Sequence, residues 1–260
     1  MQILNMELSD NAAEQIQKLS ESFQKPVRYF FSDNSLNKDA PPEDGDGQGY
    51  YIVYLPANLD RRTFEANVLY ELFHIRQFEA GFPTLCNKDS IMYNRDSKLV
   101  DGLGSSIFFG VLDLDVFERM RECRYIDAVY RFVGSVFQIL IEYASHVYGK
   151  LDNKYVYAQL VLDLSKVLYH ANAELDTELQ EAYKDHPQVL EKAFALRDLM
   201  HQNPPDAPDT AAVTMGILID RLELWDLFYI KINDERIRTK TEFEAYFESV
   251  KKQSVHEETT

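Results

Sequence analysis

Between Gly49 and Pro83 the chain changes its hydrophobic rhythm once, and that change sets the class of fold open to it. Tyr50-Tyr51-Ile52-Val53-Tyr54-Leu55 is rich in aromatic and β-branched residues, the composition of a strand. Immediately afterwards Phe64, Val68, Leu72 and Ile75 recur at helical spacing, so a strand hands over to an amphipathic helix through a short loop. Asp60 is suited to cap the start of that helix, and Gly81 followed by Pro83 to end it. An earlier helix is expected over Ser9 to Phe23, with Ile16, Leu19 and Phe23 inward, and a first strand over Val27 to Phe31.

From about Ser97 onward the pattern is helical almost throughout, with no repeated strand signal. Helices are expected near Ile126 to Tyr148, Lys154 to Asn172, Gln188 to Gln202, Thr210 to Ile230 and Thr241 to Lys252, with Pro187, Pro204, Pro205 and Pro208 at their boundaries. The expected fold is therefore α+β and mainly helical. A small sheet in the N-terminal half packs on the helix that follows Asp60, and a helical bundle makes up the C-terminal half. The expected division is 1–125 for an α+β subdomain, 126–252 for a helical subdomain and 253–260 for a disordered tail. The Pro/Gly-rich stretch from Asn34 to Gly49, with its acidic run Glu43-Asp44-Gly45-Asp46, reads as a mobile loop between two strands. No internal repeat recurs at a fixed interval, which speaks against a solenoid.

The helix after Asp60 carries Tyr70-Glu71-Leu72-Phe73-His74, the zinc-peptidase pattern H-E-x-x-H with its first histidine replaced by tyrosine. Positions i and i+4 of a helix project from one face, so two histidines there offer nitrogens to one Zn²⁺ while the glutamate activates the bound water. Here Glu71 keeps the place of the general base and His74 that of the second ligand. Tyr70 stands at the first ligand position, and a neutral phenol with a reference pKa near ~10 binds zinc poorly unless the metal deprotonates it. Tyr70, His74 and Gln77 fall on a different face from the apolar stripe, where they are expected to border a cleft.

Together with Ile52-Val53-Tyr54-Leu55-Pro56 and the exit Phe78-Glu79-Ala80-Gly81-Phe82-Pro83, this segment resembles the small bacterial zincin-like metallopeptidase domains of the ImmA/IrrE group. The likeness covers roughly residues 25 to 125. In such domains a third ligand comes from a later helix. The resemblance puts it on the segment Ile107 to Met120, at Asp113 or, with a slip of two residues, at Asp115.

The altered first and third positions point to a degenerate, catalytically inactive zincin-like homologue that works by binding another protein or peptide and holds no cofactor. The alternative is an active zinc-dependent peptidase with His74, Asp113 and Tyr70 as ligands and Glu71 as general base. A second alternative is a helical interaction protein unrelated to zincins. The last would be exposed if the segments flanking the motif failed to form one small sheet on its helix.

Charge and composition narrow the partners. Asp and Glu number 43 against 27 Lys and Arg, a formal charge of −16, which leaves little surface to neutralise phosphates and argues against nucleic acid. The longest apolar candidate, Val129 to Ala144, is broken by Arg131 and Glu142, so no membrane span is expected. Met1 to Glu7 lacks the layout of a secretory signal, and a cytoplasmic protein is the expectation. Cys86 and Cys123 have no C-x-x-C spacing and are expected as free thiols, Cys86 close after the motif helix. His170 and Glu174 are spaced i, i+4 and are read as an exposed or capping pair near a helix end, with a metal site as the lesser reading.

Overall fold

The computed structural model describes residues 1–37, 49–88, 96–147, 149–171 and 173–257. The acidic run at 43–46 lies outside them. The fold is α+β and mainly helical, and the chain divides into two compact units that interleave in sequence. One comprises Met1–Ala80 and Val116–Tyr130, the other Gly81–Asp115 and Arg131–Thr260. This differs from a single boundary near residue 125, because two long helices each contribute residues to both units.

The first unit opens with a short antiparallel hairpin, β1 (Gln2–Ile3) and β2 (Met6–Glu7). Helix α1 (Asp10–Ser22) follows, capped by the Ser9 hydroxyl, which accepts from the Ala12 amide. Its buried residues are Ala12, Ile16 and Leu19, the inward face expected from the sequence apart from half-buried Phe23. Strands β3 (Val27–Phe31) and β4 (Tyr51–Leu55) pair in parallel, with Val27 opposite Tyr51 and Phe31 opposite Leu55. The Asn37 carboxamide takes both the amide and the carbonyl of Phe31, at 2.7 and 3.0 Å, and so substitutes for a strand at that point of the edge. Helix α2 (Arg61–Glu79) packs on α1 and β4. The end of α3 (Ser97–Glu122) and the start of α4 (Ile126–Ala144) complete this unit.

In the second unit β5 (Thr84–Asn87) pairs with β6 (Phe228–Ile232), which pairs with β7 (Glu235–Ile237), all antiparallel. The segment after the motif helix thus joins a sheet with the C-terminal region instead of the β3–β4 pair. Helices α5 (Lys154–His170), α6 (Ala173–Ala182), α7 (Pro187–Gln202), α8 (Pro208–Arg221) and α9 (Lys240–Glu257) supply the rest, with α5 against α7 and α8 against α9. Tyr183, fully buried, donates its hydroxyl to the Leu140 carbonyl at 2.8 Å.

The helix expected from Thr210 to Ile230 is corrected here. It stops at Arg221, where Glu223 adopts φ +58°, and Phe228 to Ile232 alternate between the interior and the surface as a strand. Asn233, at φ +50°, and Asp234 turn the chain back into β7. The last helix runs to Glu257, beyond the expected end at Lys252.

His170 and Glu174 also sit differently from the expected shared face. Ala171 is extended at ψ 156°, so His170 ends α5 while Glu174 belongs to α6. Nearby, the Tyr169 ring stacks on His201 at 4.0 Å and 15°. Among the described residues no helix is long and apolar enough to cross a membrane.

Candidate functional site

Helix α2 positions the motif, and its ends form as local chemistry dictates. Asp60 precedes the first turn, its carboxylate accepting from the Thr63 amide at 3.0 Å and the Thr63 hydroxyl at 2.6 Å. The helix closes with the Ala80 amide donating to the Arg76 carbonyl at 2.9 Å, and Gly81 follows at φ +77°, a conformation that glycine adopts without strain. Phe64, Val68 and Leu72 are buried as the stripe requires, and Ile75 is half-buried.

Tyr70, Glu71 and His74 are each half-buried. The Tyr70 and His74 rings meet edge to face, 4.6 Å apart at 84°, and Tyr70 also lies 6.2 Å from the ring of Phe117. His74 Nδ1 is 3.0 Å from Gln77 Oε1. With the amide in that orientation, the Nδ1–H donates to the Gln77 carbonyl oxygen. Gln77 is only 2% exposed, and its carboxamide serves the imidazole from the interior of the helix packing.

The two aspartates singled out for a third ligand belong to the second unit, Asp113 half-buried and Asp115 buried at 6% exposure. Within α2 the donor set is one imidazole and one phenol. Catalytic zinc takes three protein ligands, so this helix alone does not fit the metal. Among the described residues no group of three or more His, Cys, Asp or Glu side chains could hold a metal ion.

A buried carboxylate in the same helix escaped the motif-based reading. Glu65 is 2% exposed; its Oε1 accepts from the Ser9 amide at 2.6 Å and its Oε2 from the Tyr125 hydroxyl at 2.8 Å. Burial, followed by this bond to Glu65, pushes the Tyr125 phenol up to about 12. The Arg62 guanidinium lies 3.8 Å from the centre of the Tyr125 ring, bonds the Arg124 carbonyl and pairs with Asp127 at 2.7 Å. Ser9, α2 and the α3–α4 junction are thereby tied at one point. The signal was present, since Glu65, Leu69 and Leu72 are spaced as one helical face.

Two adjoining clefts open at the carboxyl ends of β3 and β4. One, of about 260 Å³, is lined by residues including Leu4, Tyr29, Phe31 and Asn37; the other, of about 320 Å³, by residues including Phe31, Pro56, Asn58 and Phe64. Tyr70, Glu71 and His74 line neither. The thiols are free: Cys123 faces Gln15 Oε1 at 3.7 Å with its pKa raised by burial, and Cys86 stands opposite Tyr229 in the β5–β6 pair.

Comparison of the chain with family models, with curated proteins and with solved structures yields no match in any of the three.

Proposed function

We propose that this protein is a degenerate zincin-like homologue that does not hydrolyse peptides and acts by binding another protein or peptide. The observation that carries the reading is the cluster on α2, where the ring of Tyr70 lies against the imidazole it would have to join as a co-ligand, and Gln77 holds that imidazole from within. An edge-to-face aromatic pair is a packing contact, and a neutral phenol in it is a weak donor to a metal. Glu71 then has no metal-bound water to activate. The order strand, capped helix and glycine exit supports the ancestry, with β4 packed on α2; the segment after that helix pairs with β6 and not with the β3–β4 pair, which favours the second alternative, a helical interaction protein unrelated to zincins.

One observation favours the alternative of an active zinc peptidase. A histidine that ligates metal through one nitrogen commonly donates its other N–H to a carbonyl or carboxylate, and the His74–Gln77 bond has that form. The two readings separate on metal content. Elemental mass spectrometry of untagged protein, wild type alongside Glu71→Gln and His74→Ala, is expected to find negligible zinc in all three. About one zinc per chain, lost in His74→Ala and kept in Glu71→Gln, would overturn the proposal.

A further inference from the structure

The outer face of the β5–β6–β7 sheet gathers positive charge on an acidic chain. Helix α8 packs on β6, and Phe228, Ile230, Ile232 and Ile237 are buried, so the alternate residues of the strands point away from the core. The register lays these out in two rows. Thr84, Lys231 and Arg236 stand side by side across the three strands. Cys86 and Tyr229 form the next row, and Arg238, just beyond β7, completes it with its guanidinium 5.9 Å from the centre of the Tyr229 ring. Both arginines and Lys231 are exposed, and all six residues belong to the second unit.

The three cations have no acid to neutralise them. Lys231 lies directly opposite Arg236, a like-charge cross-strand pair that destabilises the sheet. Among the described residues none of Lys231, Arg236 and Arg238 forms an ion pair, although acids outnumber bases by 43 to 27. Glu235 falls on the other side of β7 by strand alternation, and Glu242 turns its carboxylate to the Arg238 and Thr239 amides at 2.5 and 3.2 Å. The Tyr229 phenol is held above its ordinary value by its bond to the Cys86 thiol, so it stays neutral and adds no negative charge.

The rows define the form of the complementary anion. Adjacent strands lie ~4.8 Å apart and successive rows ~6.8 Å apart, the latter being the spacing of residues i and i+2 in an extended peptide. A carboxylate at i can sit between Lys231 and Arg236 while one at i+2 meets Arg238 and the Tyr229 hydroxyl. Nucleic acid is disfavoured, because the cations end after two rows and a chain of net charge −16 repels a longer polyanion. A short acidic segment is screened from that charge beyond about 10 Å. We infer that this sheet face docks an extended acidic segment of a partner protein, whose carboxylates two residues apart engage Lys231, Arg236 and Arg238. The inference stands apart from the reading of the motif helix, which belongs to the other unit.

Fluorescence anisotropy of a labelled peptide of alternating glutamate and threonine, titrated with the full chain, tests it. The glutamate peptide is expected to bind, more weakly as sodium chloride is raised, and the same peptide with glutamine for glutamate not to bind. Arg236→Glu and Arg238→Glu are each expected to weaken binding at least about tenfold with an unchanged circular dichroism spectrum. Arg61→Glu makes the same change of net charge at an exposed position of the other unit, and is expected to alter binding less than about twofold. No binding of the glutamate peptide, equal binding of the glutamine peptide, or equal losses in Arg61→Glu and Arg236→Glu overturns the inference. Displacement of the labelled peptide by inorganic phosphate or oligothymidine at lower concentration than by the unlabelled peptide also overturns it, by assigning the face to a phosphate ligand.

Discussion

Glu65→Ala tests the physical reading of the first unit most sharply. The carboxylate is 2% exposed and accepts from two donors on segments distant in sequence, the Ser9 amide at 2.6 Å and the Tyr125 hydroxyl at 2.8 Å. Bonds to a charged acceptor contribute about 1.5–3 kcal/mol each, and a buried donor left without an acceptor costs a further 1–3 kcal/mol, roughly offset by no longer holding a carboxylate out of water. The expected loss is about 3 kcal/mol. Glu65→Gln keeps the volume and one carbonyl oxygen, and is expected to lose about 1 kcal/mol. Urea denaturation followed by far-UV circular dichroism, at constant m-value, reads both. Tyr125→Phe completes a double-mutant cycle, in which a coupling of about 1–2 kcal/mol with Glu65→Ala is expected. A Glu65→Ala protein within about 0.5 kcal/mol of wild type, or a coupling near zero, would refute the claim that this carboxylate ties Ser9 and Tyr125 to α2.

Two further outcomes follow from single contacts. Gly216 lies in α8 where an added Cβ would sit 2.1 Å from Phe243 Cε2, a ring that is itself 5% exposed and stacked on Phe247. Gly216→Ala is therefore expected to destabilise by about 1–3 kcal/mol in thermal melts, although alanine is the better helix former by ~1 kcal/mol. Stabilisation by this change would show that α8 and α9 separate easily. For Tyr125, burial and then the bond to Glu65 raise the folded phenol to about 12, above its unfolded value near ~10. Its contribution is thus fully present below about pH 10 and is lost as the pH rises towards 12. Wild type is expected to lose stability more steeply than Tyr125→Phe across that window, and equal slopes in alkaline urea titrations would contradict it.

Local chemistry was legible before any coordinates. Asp60 can cap only a helix that starts beside it, and Gly81 can end one because its backbone tolerates a positive φ, so the limits of α2 followed from the two residues themselves. The inward residues Ile16 and Leu19 and the strands Val27–Phe31 and Tyr51–Leu55 were equally readable, since periodicity reports which side of an element is apolar. The hairpin of β6 and β7 was missed because its apolar residues continue the run that ends α8, and only the Asn233-Asp234 turn marks the reversal.

By itself the sequence determined a mainly helical α+β chain and its principal helices with most of their ends, because each rests on contacts within a few residues. Only the tertiary structure decided that β5 pairs with β6, that β3 and β4 run parallel, and that Gln77 turns its amide to His74. It also decided that Glu65 meets Ser9 and Tyr125, which are 56 and 60 residues away. Such pairings depend on which surfaces the folded chain brings together, and no short-range pattern encodes the partner of a buried polar group.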